Sequence, residues 1–421
     1  MAVGLDFGTT NSVLALRRPD GSVKSFSYEI EAERFEVFRS LLLVEAGTGR
    51  EPEISAGPWA LKNHLAAGGD GRLIQSIKSY LASPNFTETR LYGKSFRLEE
   101  LIALIVRRMR AAAEAEVGPL GERLVCGRPV QFVGDAEQND FAEARLRAAL
   151  ALAGFTDVRF AYEPMGAAYH YCRRLGAPET LLIADFGGGT SDFSVLRVAK
   201  ENDRVRAQPL GVGGIGIAGD ALDAEILRQV ICPALGEGTL YREFDKELPV
   251  PVWLYRHLER WHLLSMLNTP KTLRLIDELV AKSEAPRRLA ALRHVVAANL
   301  GFSLNRAVSS AKATLSREED AELSFQAGAV TITKRLTRSA FEEWIRPELA
   351  AIGGALDRLV ADSNLPPGGI DRVFMTGGTS LVPAVRQLFA DRFGVEKLAF
   401  GDELLSVAKG LALIAAEDDA S

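Results

Sequence analysis

The sequence is poor in residues that build disulfide or metal scaffolds. Its 421 residues include three cysteines, five histidines and four tryptophans. Cys126, Cys172 and Cys232 are widely spaced, which argues against a disulfide framework or a zinc site. We expect these cysteines to be reduced and to behave as small buried apolar side chains.

The sequence also lacks long apolar runs and a strong charge of either sign. No apolar run is long enough to span a bilayer, and the N-terminus shows no charged leader followed by an apolar signal core. The formal net charge of -5 gives no general attraction to nucleic acid. These absences predict a cytoplasmic protein with no membrane or nucleic-acid partner.

What the sequence does contain is a duplicated turn. Residues 6–12 read DFGTTNS and residues 185–191 read DFGGGTS, and each block is preceded by an apolar run and followed by strand-forming residues. The pattern predicts two β-hairpins, each with an aspartate at the end of its first strand. Glycines allow a backbone to approach an anion closely, and a neighbouring aspartate suits a hydrated divalent cation.

Strands and helices alternate around these turns. A helix is predicted over Leu98–Val117, a second over about 137–153, and strands over 124–126 and 158–162. A third glycine turn, at 377–380, follows a strand predicted over 372–376. This order is typical of an α/β protein, and glycine turns in two similar halves suggest a ligand held between two lobes.

Other phosphate-binding motifs fit the sequence poorly. Gly93-Lys94-Ser95 resembles the end of a P-loop, but Glu88 stands where that motif needs glycine. Residues 211–216 match G-x-G-x-x-G, yet Pro209 makes the preceding run a poor central strand. The Asp-Phe-Gly triplets have no His-Arg-Asp loop to accompany them, which excludes a protein kinase.

The ordered turns resemble the signatures of the DnaK-type heat-shock chaperones, within the actin, sugar-kinase and heat-shock ATPase superfamily. Residues 4–12 and 185–192 are similar to the two phosphate signatures, 375–383 to the adenosine motif and 162–168 to the Glu-Pro connecting segment. The resemblance runs from residue 2 to about residue 415. It implies an actin-like ATPase fold of two duplicated lobes, 1–175 and 176–421. Each lobe is expected to hold a β-sheet flanked by helices, with a mainly helical insertion at about 232–298 in the second lobe.

The resemblance also implies ATP or ADP with Mg²⁺ in the cleft. Asp6 and Asp185 are expected to hold Mg²⁺ through its waters. Lys62, matched by its Ala-Leu-Lys-Asn setting, is expected to stabilise the terminal phosphate, with an ordinary solvated lysine as the alternative. The other expected catalytic residues are Glu163, Asp192 and Thr190. The residues expected to contact the nucleotide are Gly8, Thr9, Thr10, Asn11, Gly187, Gly188, Gly189, Thr190, Gly216, Gly219, Asp220, Lys312, Gly377, Gly378 and Thr379.

One expected site residue has a structural alternative, and the sequence departs from the family's pattern in two respects. Asp220 equally fits a residue that caps the next helix. Ser309, Ala313 and Leu381 stand where the family has glutamate, arginine and arginine, so two cationic groups that could bracket adenine are missing. The chain also reaches Ser421 without the hydrophobic linker and β-rich peptide-binding domain expected of a full chaperone of this type.

The resulting hypothesis is a slow, Mg²⁺-dependent ATPase that acts as a nucleotide-driven conformational switch without a peptide-binding domain of its own. Partners resembling co-chaperones or exchange factors would read the closure of the lobes, and a monomer is favoured. A metabolite kinase of the same superfamily and an actin-like filament-forming ATPase are the alternatives. ATP turnover without an acceptor separates the switch from the kinase, and light scattering with ATP tests filament formation.

Overall fold

The structure is a computed structural model. It describes residues 2–31, 33–47, 51–66, 71–130, 132, 136–172, 177–201, 204–259, 264, 266–400 and 405–418. The first half contains β1 Ala2–Phe7, β2 Asn11–Arg17, β3 Val23–Ser25, β4 Tyr28–Ile30, β5 Glu33–Phe35, β6 Phe38–Arg39, β7 Leu41–Glu45, β8 Glu53–Ala56, α1 Pro58–Ala66, β9 Arg72–Gln75, β10 Glu88–Leu91, β11 Lys94–Arg97, α2 Leu98–Val117, β12 Arg123–Arg128, α3 Asn139–Leu152, β13 Asp157–Tyr162 and α4 Glu163–Cys172.

The second half begins with a longer hairpin and carries more helices. It contains β14 Glu179–Phe186, β15 Ser191–Glu201, β16 Arg204–Ile215, α5 Gly219–Ile226, α6 Cys232–Ala234, β17 Leu240–Glu243, β18 Lys246–Pro249, α7 Trp253–Arg256, α8 Pro270–Lys282, α9 Pro286–Ala297, α10 Gly301–Leu315, β19 Asp320–Ala327, β20 Val330–Thr337, α11 Arg338–Trp344, α12 Arg346–Asp362, β21 Arg372–Thr376, α13 Pro383–Phe393, β22 Leu398–Phe400 and α14 Ser406–Asp418. No described helix is both long enough and apolar enough to cross a membrane.

The two main sheets have the same strand order. In the first sheet the order is β13-β12-β1-β2-β3, and in the second it is β22-β21-β14-β15-β16. In each, an antiparallel hairpin has a parallel strand beside its first member. The predicted α/β fold with two duplicated lobes is therefore confirmed. The lobe boundary at residue 175 lies outside the described residues.

Two segments of the second half, 211–216 and 232–298, were singled out in the sequence. The run 211–216 belongs to β16, an edge strand where Pro209 is tolerated, so it does not form a Rossmann turn. The segment 232–298 contains four helices among its described residues, but β17 and β18 also form an antiparallel hairpin there. The expectation of a mainly helical insertion missed this hairpin because each strand has only four residues, and all four residues of β18 are exposed.

Helices α4 and α14 join the two lobes. Each follows the last strand of its own sheet, and α14 packs across β1 and β2 whereas α4 packs against β14 and β15. A buried cluster containing Ala167, Leu181 and Leu411 fills the space between the sheets. Each lobe therefore places one helix against the sheet of the other lobe.

The crossing of these helices depends on glycine. A Cβ atom at Gly410 would lie 1.7 Å from the carbonyl oxygen of Gly166, and one at Gly166 would lie 2.6 Å from the carbonyl oxygen of Val407. A Cβ at Gly4 of β1 would lie 2.3 Å from the backbone nitrogen of Ala412. Backbone atoms cannot move aside as flexible side chains can, so larger residues are excluded at these positions.

We predict that Gly410→Ala destabilises the protein. The added methyl group would force α4 and α14 apart, at a cost of roughly 1–3 kcal/mol in the free energy of unfolding. Gly354→Ala is the matched control, because this glycine also lies in a helix but its Cβ would meet only the guanidinium of Arg358, at 3.7 Å. The control should be neutral or stabilising by up to about 1 kcal/mol. Urea unfolding measures both, and equal effects would contradict the close-crossing account.

Candidate active site in the cleft between the lobes

The three glycine turns meet at one cavity of about 410 Å³ between the lobes. The turns follow β1, β14 and β21, and β14 and β21 are neighbours in one sheet. The end of each of the three strands lies at the cleft. The predicted site residues that line the cavity are Asp6, Gly8, Thr9, Thr10, Asn11, Glu163, Asp185, Gly187, Gly188, Thr190, Asp192, Gly219, Asp220, Lys312, Gly377, Gly378 and Thr379. Predicted residues that are not among those lining it are Lys62, Gly189 and Gly216.

The two glycines that do not line the cavity lie beside it. A Cβ atom on Gly189 or Gly216 would have no neighbouring atom within 4 Å. Neither glycine is therefore needed for a close backbone approach in this structure. Gly189 is the turn residue between two lining residues, and Gly216 follows the end of β16.

Lys62 does not reach the cleft. It lies on α1 with 44% of its side chain exposed, and it forms an ion pair with Glu31. Lys78 enters the cleft instead, from a short 3-10 turn after β9, and its Nζ donates to Glu163 Oε1 at 2.6 Å. The Ala-Leu-Lys-Asn setting thus selected a lysine outside the cavity lining. Local sequence does not show that Lys78 meets Glu163, which lies 85 residues further along the chain.

Lys78 is buried among carboxyl groups. Burial alone would lower the pKa of Lys78, but Glu163 and Asp6 outweigh it and the pKa is raised. The lysine is therefore held in its charged form at the point where β1 and α4 meet. A single buried ammonium there can offset negative charge from both the protein and a ligand.

The aspartates at the ends of the two duplicated strands have strongly perturbed pKa values. Burial, with the neighbouring Glu163 carboxylate, raises the pKa of Asp6 to about 7. Burial also raises the pKa of Asp185 well above its usual value, and Glu163, Asp6 and Asp192 add to the effect. Asp6 is thus among the groups that raise the pKa of Asp185, so both lie in one electrostatic cluster across the cleft.

A third aspartate distinguishes the second hairpin from the first. Asp192 pairs in register with Asp185, whereas Val13 occupies the equivalent position opposite Asp6. The hydroxyl of Thr190 donates to Asp192 Oδ2 at 2.9 Å, and burial raises the pKa of Asp192 to about 6. A carboxyl with this pKa can exchange a proton near neutral pH.

The first two glycine turns face each other closely. A Cβ atom on Gly188 would lie 2.3 Å from the hydroxyl oxygen of Thr10, and one on Gly8 would lie 2.1 Å from the carbonyl oxygen of Asn11. Asp220 joins this arrangement because its backbone nitrogen donates to the carbonyl oxygen of Gly188 at 2.8 Å. The turns therefore present backbone groups from both lobes to the same small space.

The other end of the cavity is built around Asp223, which the sequence reasoning missed. Its carboxylate pairs with Lys312 Nζ at 2.8 Å and accepts from the hydroxyl of Ser309 at 2.6 Å. Lys312 also donates to the carbonyl oxygen of Gly219 at 2.9 Å. Asp223 lies three residues after Asp220 on the same face of α5, and this helical spacing was the available indication.

The third turn is fixed to the end of β14. Gly377 has a φ of 85°, and a Cβ atom there would lie 2.0 Å from the carbonyl oxygen of Phe186. Glycine is therefore required both by the backbone conformation and by the close approach. Ala313 and Leu381 line the adjoining wall, where they add no charge.

The chemistry of these groups fits a nucleotide with Mg²⁺. Carboxylate oxygens are the ligands that Mg²⁺ takes, usually while keeping several of its waters. Within the described residues, no group of three or more His, Cys, Asp or Glu side chains is arranged to enclose a metal directly. Asp6 and Asp185 would hold such a hydrated ion through its waters, and a cation beside them would lower their raised pKa values.

Two equivalent sheets joined by crossing helices, with glycine turns and buried carboxyl groups in the cleft between them, define the actin-like ATPase class. Comparison with known families is more specific. The family model described as Hsp70 protein matches residues 75–232 and 288–417, which is more than half of the chain. The chain belongs to the Hsp70 family.

Curated relatives of this chain carry the name Chaperone protein DnaK. The protein from Thermosipho melanesiensis is 27% identical over 417 residues, covering 98% of this chain and 59% of the relative. Those from Thermotoga petrophila and Thermus thermophilus are each 26% identical, and this chain covers 59% and 57% of their lengths. The chain thus spans about three-fifths of the length of the relatives it matches.

We predict that Asp6→Asn stabilises the nucleotide-free, Mg²⁺-free protein more at pH 8 than at pH 5. The folded pKa of Asp6 is about 7 and its ordinary value is 3.8, so between these values only the unfolded state releases the proton. Stability therefore falls as pH rises through this window, and asparagine removes the loss. The advantage of Asp6→Asn should grow by about 1–3 kcal/mol between the two pH values.

Urea unfolding at both pH values checks this prediction. Asp20→Asn is the control, because the hydroxyl and backbone N–H of Ser22 lower the pKa of that exposed carboxyl. A pH-independent advantage for Asp6→Asn would contradict the assignment of a raised pKa to Asp6.

Proposed function

We propose that the protein binds ATP in the cleft, hydrolyses it slowly, and uses the bound nucleotide to set the closure of its lobes. The observation that carries this proposal is the buried Lys78–Glu163 ion pair among Asp6, Asp185 and Asp192. It lies beside two glycine turns, one from each lobe. A ligand with phosphates at this point would contact both lobes at once.

Each group near the ion pair has a chemical role in this proposal. The Thr10, Gly187 and Gly188 backbone groups and the Thr10 hydroxyl bind phosphate oxygens, as glycine-rich turns do. Lys78 Nζ offsets negative charge that develops on the transferred phosphoryl group. Bound Mg²⁺, held through its waters by Asp6 and Asp185, would neutralise phosphate charge and orient the phosphates.

The carboxyl groups position and deprotonate the attacking water. Asp192, with a pKa of about 6, can accept a proton at Oδ1 while Oδ2 accepts the hydrogen bond from Thr190. Glu163 is oriented by its bond to Lys78 and stands at the first turn of α4, so it serves as a second orienting group. Phosphoryl transfer depends mainly on positioning and on stabilisation of charge, and these are the contributions that the cleft residues make in this proposal.

A switch of this kind implies partners that distinguish open from closed lobes. Relatives named as chaperones support proteins resembling co-chaperones or exchange factors as the partner class. Ligand binding shifts the population of closed lobes only by its preference for that state. We therefore expect partner affinity to differ between the ATP-bound and ADP-bound forms.

We predict that Lys78→Ala reduces ATP hydrolysis without added acceptor by on the order of 100-fold, because a preorganised charge at the reacting phosphate is lost. Lys62→Ala is the matched control, and it should keep wild-type turnover since Lys62 is exposed on α1. Phosphate release in single-turnover assays measures both, and circular dichroism verifies folding. Full activity in Lys78→Ala, or a large loss in Lys62→Ala, would reverse the assignment. Wild-type turnover seen only with a sugar-type acceptor would favour a metabolite kinase.

A further inference from the structure

The cationic side chains that line the cleft differ in how they are neutralised. Lys78 and Lys312 have direct carboxylate partners at 2.6 and 2.8 Å. Arg317 lies at the rim and is exposed. Arg39 is half-buried and its side chain donates to a neutral group, the Asn11 Oδ1, at 3.2 Å. No described carboxylate lies within ion-pair distance of Arg39.

The backbone of Arg39 is fixed to the first glycine turn. Strand β6 pairs with β2, so that Arg39 stands opposite Asn11 and Phe38 opposite Ser12. The next residue, Ser40, donates its backbone N–H to the carbonyl oxygen of Thr10 at 2.9 Å and shares a hydroxyl hydrogen bond with Ser12. Any ligand that contacts the first turn therefore lies beside Arg39.

Charged groups of the second lobe also act on the guanidinium group of Arg39. Burial lowers the pKa of Arg39, Asp220 and Asp223 oppose this effect, and Arg306 adds to it. Asp220 is in turn bonded through its backbone to Gly188 of the second turn. Arg39 thus stands on one phosphate turn and faces an aspartate attached to the other.

This arrangement leaves a partly desolvated cation without a contacting anion. Burial of a charged group costs free energy unless an opposite charge and hydrogen bonds compensate it. An arginine presents a planar set of donors that suits two phosphate oxygens at once, and it keeps its charge throughout the accessible pH range. A phosphate group beside the first turn would supply the missing partner.

We propose that Arg39 binds a phosphate group of the nucleotide, and that this contact makes the phosphates rather than the base the main source of affinity. The inference rests on the proposed function, since it concerns the same cleft. At the base end, Lys312 is already paired with Asp223, and Ala313 and Leu381 offer no charge. The cleft therefore selects its ligand by the phosphates more than by the base.

The test is calorimetric titration of adenosine, MgADP and MgATP into wild type, Arg39→Gln and Arg39→Lys. Arg39→Gln should weaken MgADP or MgATP binding, or both, by on the order of 10- to 100-fold, because a charge-assisted hydrogen bond is lost. Adenosine affinity should stay within about twofold, since adenosine has no phosphate for this contact. Arg39→Lys keeps the charge but loses the planar set of donors, so its nucleotide affinity should lie between those of wild type and Arg39→Gln. Arg34→Gln, on exposed β5, is the matched control and should bind as wild type does.

The outcomes separate this inference from the proposed function. If wild type binds neither MgADP nor MgATP, the inference on Arg39 and the proposed function are both wrong. If wild type binds nucleotides and Arg39→Gln binds them equally well, the inference on Arg39 fails while the proposed function stands. A parallel loss of adenosine and nucleotide affinity would assign Arg39 a structural role and also overturn the inference.

Discussion

The crossing of α4 and α14 is the constraint on which the arrangement of the lobes depends. Two glycines allow the helix backbones to touch, and each helix packs on the sheet of the opposite lobe. The two lobes are therefore connected where these helices cross. Because Glu163 begins α4, the same crossing also fixes one carboxylate of the cleft. We expect lobe rotation to pivot at this crossing, with the glycine turns moving at its edge.

The cleft itself holds more negative than positive charge. Six carboxyl groups, those of Asp6, Glu163, Asp185, Asp192, Asp220 and Asp223, line it together with four cationic side chains, those of Arg39, Lys78, Lys312 and Arg317. Burial makes this imbalance costly, which is why the pKa values of Asp6, Asp185 and Asp192 are raised. A divalent cation entering with an anionic ligand would relieve the carboxylates, while the phosphates would meet Lys78 and Arg39. Charge placement in the cleft thus favours the ligand pair over either component alone.

The duplicated turns could be predicted because their chemistry is local. An aspartate that ends a strand and a glycine that permits close approach are both visible in seven residues, and the structure brings Asp6, Asp185 and the turn glycines to one cavity. Lys78 and Arg39 were not found because their positions in the cleft depend on the pairing of strands that are distant in sequence. Lys78 reaches the cleft only after β9 pairs with β7, and Arg39 only because β6 pairs with β2. The β17–β18 hairpin was missed because its short strands carry no clear alternation of buried and exposed residues.

The central claim is that a nucleotide in the cleft holds the two lobes together. His64 on α1 and Phe302 on α10 meet across its mouth, with ring centroids 5.8 Å apart, so this is where closure is best measured. Spin labels at Asn63→Cys and Ser310→Cys, both exposed, would report the distance between these helices in a protein with Cys172 replaced by serine. The account predicts a shorter and narrower distance distribution with MgATP than without nucleotide. An identical distribution in both states, under conditions where ATP binding is measured, would contradict it.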